Sequence, residues 1–171
     1  MEAKMDSKLI IIRGNSGSGK TTTAQLLQKQ FDYEQAMIIS QDTVRINILN
    51  AKDRPLNPTI ELIKLMAEFG KDKYDYIIIE GIFASVRYKE LFDGLMDLFA
   101  PHVYVYYYEL PFEETVIRHQ TRDKVNDFGP DRMKKWWLEK DYLNTVNETI
   151  IDETFSQEEV LELILNDLTK D

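Results

Sequence analysis

The chain has 171 residues, 43% hydrophobic and 30% charged, proportions that fit one ordinary globular domain and exclude collagen-like and disordered classes. No apolar run approaches the ~18–20 residues that span a bilayer. Residues 1–7 lack the apolar core of a secretion signal and cysteine is absent, so a cytoplasmic protein without disulfides, thiolate metal sites or membrane attachment is expected. Lys and Arg number 21 against 30 Asp and Glu, and the net charge of −9 disfavours long nucleic acid while allowing a locally basic site for a small anion.

Along the chain, short segments rich in Ile, Val or Tyr predict strands at 9–13, 37–40, 76–80, 103–109 and 149–151. Helical spacing predicts helices over 20–31, 58–71, 88–99, 111–121, 130–142 and 157–168. This alternation is that of a doubly wound α/β domain spanning 1–171, its parallel sheet covered on both faces. Pro111 and Pro130 suit first helical turns. Ser156-Gln157-Glu158-Glu159 reads as a capping box, followed by Val160, Leu161, Ile164, Leu165 and Leu168 on one helix face.

The first strand leads into Gly14-Asn15-Ser16-Gly17-Ser18-Gly19-Lys20-Thr21, which matches G-x-x-x-x-G-K-[ST] between a strand and a helix. Glycines let successive N–H groups approach phosphate oxygens, and the helix N-terminus adds partial positive charge. Lys20 is expected to neutralise the β- and γ-phosphates, Thr21 to ligate Mg²⁺, and the loop with Thr22 to hold a nucleotide. No Asn-Lys pair occurs, so the guanine-reading N-K-x-D element of a GTPase is absent.

The second strand is followed by Asp42 and Arg45, placed where an open parallel sheet presents its ligand crevice. Asp42 is a candidate general base for a hydroxyl attacking phosphorus, and Arg45, one helical turn on, a candidate anion clamp. The plainer alternative makes Asp42 an N-cap and Arg45 a solvated residue. The third strand ends in Glu80, which could meet Mg²⁺ through water, meet the substrate, or cap the next loop.

Arg118 and Arg122 share a helix face at the entrance to an irregular segment, a candidate lid at about 122–135. From 118 to 135 six basic residues accompany three acidic ones, a basic island suited to closing over a triphosphate. Asp127-Phe128-Gly129 lacks the companion motifs of protein kinases, and His102 and His119 are isolated, His119 reading as solvent-facing. Of Trp136 and Trp137, adjacent on a helix, one should be core and the other free to stack on a planar group, and the run Tyr104, Tyr106, Tyr107, Tyr108 reads as a buried strand.

Taken together, the 14–21 loop, the Asp42-x-x-Arg45 pair, the strand ending Glu80-Gly81 and Arg118-x-x-x-Arg122 resemble the P-loop kinases related to polynucleotide 5′-kinase, chloramphenicol phosphotransferase and zeta toxin. Short bacterial uridine kinase-like proteins are similar over most of the chain. The resemblance implies a P-loop NTPase fold with strand order 2-3-1-4-5, ATP and Mg²⁺, Asp42 as base, Arg118 stacked on adenine and Arg122 on phosphate. The expected activity is transfer of the ATP γ-phosphoryl to a hydroxyl of a small molecule, with Lys20, Asp42, Arg45 and Arg122 catalytic and Thr21 and Glu80 at the metal. A 5′-hydroxyl kinase acting on an oligonucleotide end and a non-enzymatic ATP switch are the alternatives, and no obligate protein partner is evident. The acceptor should be read by 43–58 and 81–88, which offer Arg45, Asn47, Arg54, Asn57, Ser85 and Arg87.

Overall fold

In the computed structural model, which describes residues 6–170, strands and helices alternate along the chain. The elements are β1 (Lys8–Gly14), α1 (Lys20–Gln28), β2 (Ala36–Ser40), α2 (Thr59–Gly70), β3 (Tyr76–Gly81), α3 (Lys89–Phe99), β4 (Val103–Tyr108), α4 (Phe112–Gln120), α5 (Pro130–Trp136), β5 (Glu148–Ile151) and α6 (Gln157–Leu168). A π-helical turn, Thr43–Ile48, follows β2, and a 3₁₀ turn, Asp123–Asn126, precedes α5.

All five strands are parallel, in the order β2-β3-β1-β4-β5. β1 is central because it is apolar on both faces: Leu9 and Ile11 pack on the α2–α3 side, Ile10 and Ile12 on the α1–α6 side, all fully buried. Ile11 lies between Ile79 and Val105, and Ile10 between Ile78 and Tyr104, so β-branched side chains fill the middle of both layers. Truncating such an Ile to Ala would cost about 2–5 kcal/mol. Among the described residues, no helix is long and apolar enough to cross a membrane.

The strands fall within about a residue of their sequence positions, and the Ser156–Glu159 capping box forms in both directions. Three helical expectations need correction. α1 stops at Gln28, and Phe31 leaves the helical path to stack on Tyr76 with ring centroids 4.0 Å apart. After Asp42 the chain winds as a π-helix, with the Leu49 N–H reaching the Val44 carbonyl, and not as an ordinary α-turn. α5 ends at Trp136, six residues before the expected 142, because the Asn15 side chain captures the Leu138 backbone. Its amide donates to the Leu138 carbonyl at 2.8 Å and its oxygen accepts from the Leu138 N–H at 2.9 Å, replacing helical partners with tertiary ones.

Candidate active site

The parallel sheet directs β1, β2 and β3 to end on one side, and their last residues open into the loops that build the site. The loop after β1 requires glycine at Gly17, whose φ is +80° and where a Cβ would sit 2.6 Å from the Thr115 carbonyl oxygen of α4. Gly14 is equally confined, since a Cβ there would lie 2.8 Å from the Tyr108 Cβ. The loop wraps Lys20: its Nζ donates to the Asn15 carbonyl at 2.7 Å and to Ser18 Oγ at 3.2 Å, while Ser18 Oγ donates to the Asn15 carbonyl. Burial pushes the Lys20 ammonium down to about 8, and Arg122 and Lys124 push the same way, whereas Glu80 and Asp42 oppose the shift. Lys20 therefore stands as a buried cation among groups that a phosphate could join.

Thr21 Oγ1 lies 3.2 Å from Glu80 Oε2, the hydroxyl donating. Glu80 is 3% exposed, carried at the end of β3 opposite Ser40 of β2 and Ile12 of β1. A buried carboxylate beside a threonine hydroxyl is a hard-oxygen donor set suited to Mg²⁺. Among the described residues no group of three or more His, Cys, Asp or Glu is arranged to hold a metal, so such an ion would depend on phosphate oxygens and water for its remaining ligands.

Asp42 makes no side-chain cap of the π-turn that follows it. Instead its half-exposed carboxylate lies 3.5 Å from Arg45 and 3.8 Å from Lys124 of the 3₁₀ turn. Arg45 is also tied down by donating to the Ala51 carbonyl at 3.3 Å. Arg118 Nε donates to Glu114 at 2.8 Å, and its Nη1 donates to the Ser18 carbonyl at 3.0 Å, holding the guanidinium against the phosphate loop. Arg118 and Arg122 line a cleft of about 360 Å³ that also meets Gly17, Gly19, Lys20, Thr21 and Thr22.

The same cleft is also lined by Phe155, Ser156 and Gln157, where α6 begins. These residues were not singled out as a site from the sequence, in which they read only as a helix start. Gln157 Nε2 donates to Thr23 Oγ1 at 2.9 Å, and Thr23 Oγ1 shares a 2.6 Å hydrogen bond with the Tyr108 hydroxyl. Arg13 was missed as well. It is fully buried, donating to Glu148 at 2.6 Å, Asp141 at 2.9 Å and the Phe83 carbonyl at 2.8 Å, between the rings of Phe92 and Tyr107. An arginine in an otherwise apolar strand was the available signal.

Other expectations are redirected. His119 is buried, 2% exposed, stacked on Phe128 with ring centroids 4.5 Å apart and bonded through Nε2 to the Phe128 carbonyl, so it packs α4 against the segment before α5 and does not face solvent. Neither tryptophan is core: Trp136 is 44% exposed against Phe128, and Trp137 meets Phe112 edge-on. Tyr106, Tyr107 and Tyr108 are buried in β4, while Tyr104 is only partly so. Of the expected acceptor-reading groups, several hold their own loops together. Arg87 pairs with Asp53 at 2.7 Å, Asn57 donates to the Arg54 carbonyl, and Ser85 Oγ donates to Asp141 at 2.6 Å.

Comparison with known proteins follows the same outline. The chain is similar to a gluconokinase from Sinorhizobium meliloti 1021, at 14% identity and TM-score 0.70, covering 97% of this chain and 94% of that one. It is similar to the APS kinase CysC of Mycobacterium tuberculosis, solved with AMPPNP and APS, at 15% identity and TM-score 0.67, covering 98% and 99%. A tunicamycin resistance protein of Deinococcus radiodurans aligns at 19% identity and TM-score 0.62, covering 95% and 96%. No curated protein matches. At these identities the likeness shows the fold alone, a P-loop NTPase fold, in agreement with the five-stranded order β2-β3-β1-β4-β5. The model of the AAA domain family matches residues 9–138, from β1 through the loop, Asp42 and Glu80 to the end of α5, and the chain belongs to that family.

Proposed function

We propose that the protein transfers the γ-phosphoryl group of ATP to a hydroxyl of a small-molecule acceptor. The observation that supports this reading is the convergence of Lys20, the Thr21–Glu80 pair and Asp42 at one end of the sheet, with Arg122 and Lys124 close enough to act on Lys20 electrostatically. Phosphoryl transfer needs positioning and charge neutralisation more than covalent help, and this is a set of groups that supplies both.

In this reading the 14–21 loop and the N-terminus of α1 bind the phosphates, and Lys20 balances charge on the β- and γ-groups. Arg118 and Arg122 face the nucleotide in the cleft, as do Phe155 and Gln157. Thr21 and Glu80 are the residues that would hold Mg²⁺, which when bound would neutralise charge between the β- and γ-oxygens. Asp42 accepts the proton of the acceptor hydroxyl as its oxygen attacks phosphorus, and Arg45 keeps that carboxylate oriented.

The test is ATP consumption across sugars, sugar acids, nucleosides, aminoglycosides, phenicols and 5′-hydroxyl oligonucleotides. On the acceptor found, Asp42→Asn should lower kcat by about 100-fold or more with the fold intact. Lys20→Ala should do likewise. Unchanged turnover in Asp42→Asn removes it as the base; no acceptor-dependent ATP consumption across the panel counts against the reaction itself.

A further inference from the structure

We infer that Lys124 is a further member of the phosphoryl-transfer site, an exchangeable lid cation that leaves Asp42 for the γ-phosphoryl when ATP binds. This rests on the function proposed above and adds a residue and a step to it.

Three observations carry the inference. Lys124 stands in the Asp123–Asn126 turn, within the lid, yet its ammonium lies 3.8 Å from Asp42 Oδ2 across the site. The two cations on Asp42 are held differently: Arg45 has a second anchor in the Ala51 carbonyl, whereas Lys124 is held by Asp42 alone among the described residues. Both members of the Lys124–Asp42 pair are about half exposed, at 48% and 51%, and an ion pair so hydrated is weakly held and readily given up. Lys124 is also near enough to Lys20 to act on its charge, together with Arg122, and so already stands beside the group that would face the γ-phosphoryl.

A carboxylate paired with a cation on the oxygen that must take a proton is a poor base. A triphosphate carries several negative charges, so it draws Lys124 away from a single carboxylate. The exchange then does two things together. It places positive charge on the γ-oxygens, and it frees Asp42 Oδ2 for the acceptor hydroxyl. As the acceptor oxygen bonds to phosphorus, its proton passes to Asp42. The bond from phosphorus to the β–γ bridging oxygen breaks, and ADP leaves with that electron pair. ADP as ligand lacks the γ-group and leaves Lys124 on Asp42, so the lid distinguishes triphosphate from diphosphate.

The experiment needs no acceptor. Binding of Mg-AMPPNP and Mg-ADP is measured by calorimetry on the full chain, with acceptor-free ATP hydrolysis alongside, for wild type, Lys124→Gln, Lys124→Arg and Lys29→Gln. Lys29 is exposed just beyond α1 and controls for the loss of one positive charge. Lys124→Gln should reduce the preference for AMPPNP over ADP by about tenfold and slow hydrolysis about as much, with ADP affinity unchanged. Lys124→Arg should restore most of both, and Lys29→Gln should match wild type. An unaltered preference in Lys124→Gln, or an equal change in Lys29→Gln, overturns the inference and leaves the kinase reading standing. Wild type that binds neither nucleotide overturns both.

Discussion

Lys20 carries its charge at a cost, and the pH at which the cost disappears is a handle on the site. Because burial lowers its pKa from 10.5 to about 8, the penalty to the fold is fully present below about pH 8 and fades as pH rises toward 10.5. A phosphate bound against Lys20 favours the charged form and raises the pKa again. Nucleotide binding at about pH 9 should therefore take up a proton, seen as a binding enthalpy that changes with the ionisation enthalpy of the buffer. In Lys20→Met that buffer dependence should vanish; if it persists, another group is titrating. Arg13 is the other buried cation, and its needs are structural. Glu148→Gln leaves its guanidinium with Asp141 as its remaining carboxylate partner, and should cost about 3 kcal/mol in urea unfolding. A loss well under that would mean water or a shift of Asp141 compensates. At this scale the sequence was readable where a role is local. Lys20 and Thr21 sit in a contiguous pattern, whereas Arg13 finds its acids 128 and 135 positions away, beyond any spacing rule.

Elements whose geometry is set by their own neighbouring residues obeyed their periodicities. The apolar alternation of β1 and the capping box of α6 decide their own geometry, because burial and capping act within a few residues. Elements whose limits are imposed from outside were not readable: α5 stops where the Asn15 amide takes the Leu138 backbone, and nothing near Trp136 announces it. The same residue uses its side chain to hold the backbone beyond α5 and its carbonyl to accept from Lys20. The loop–α4 packing makes a sharp prediction. Gly17→Ala would place a methyl 2.6 Å from the Thr115 carbonyl oxygen, at a φ that also disfavours it, so α4 or the loop must move. Nucleotide affinity should fall at least about tenfold while most of the thermal stability is kept, because the strain is confined to one loop. Wild-type affinity in that variant would show that the loop relaxes freely.

Over the whole molecule, the alternation of strands and helices required a parallel sheet but was silent on the order of its strands, since several right-handed windings share one alternation. The order came from resemblance, and β2-β3-β1-β4-β5 agrees with it. The net charge of −9 was visible at once, but its unevenness takes on meaning only when folding brings Lys20, Arg45, Arg122 and Lys124 together from distant positions. The abrupt end of α5 has a consequence of another kind. The sequence contains two tryptophans, and they are the neighbours Trp136 and Trp137, one at the tip of α5 and one just beyond it. Trp136 leans on Phe128, while Trp137 packs on Phe112 of α4 and donates to Glu139. The protein's tryptophan fluorescence thus originates wholly at the end of α5, a label built into the chain. If the 122–135 segment closes as the proposed lid, rapid mixing with Mg-ATP should change the emission, and Trp136→Phe should remove most of that signal. A flat trace under conditions where calorimetry detects binding would mean the lid is already in its bound position. The time course, if there is one, is a direct clock of closure that no dye has to be attached to read.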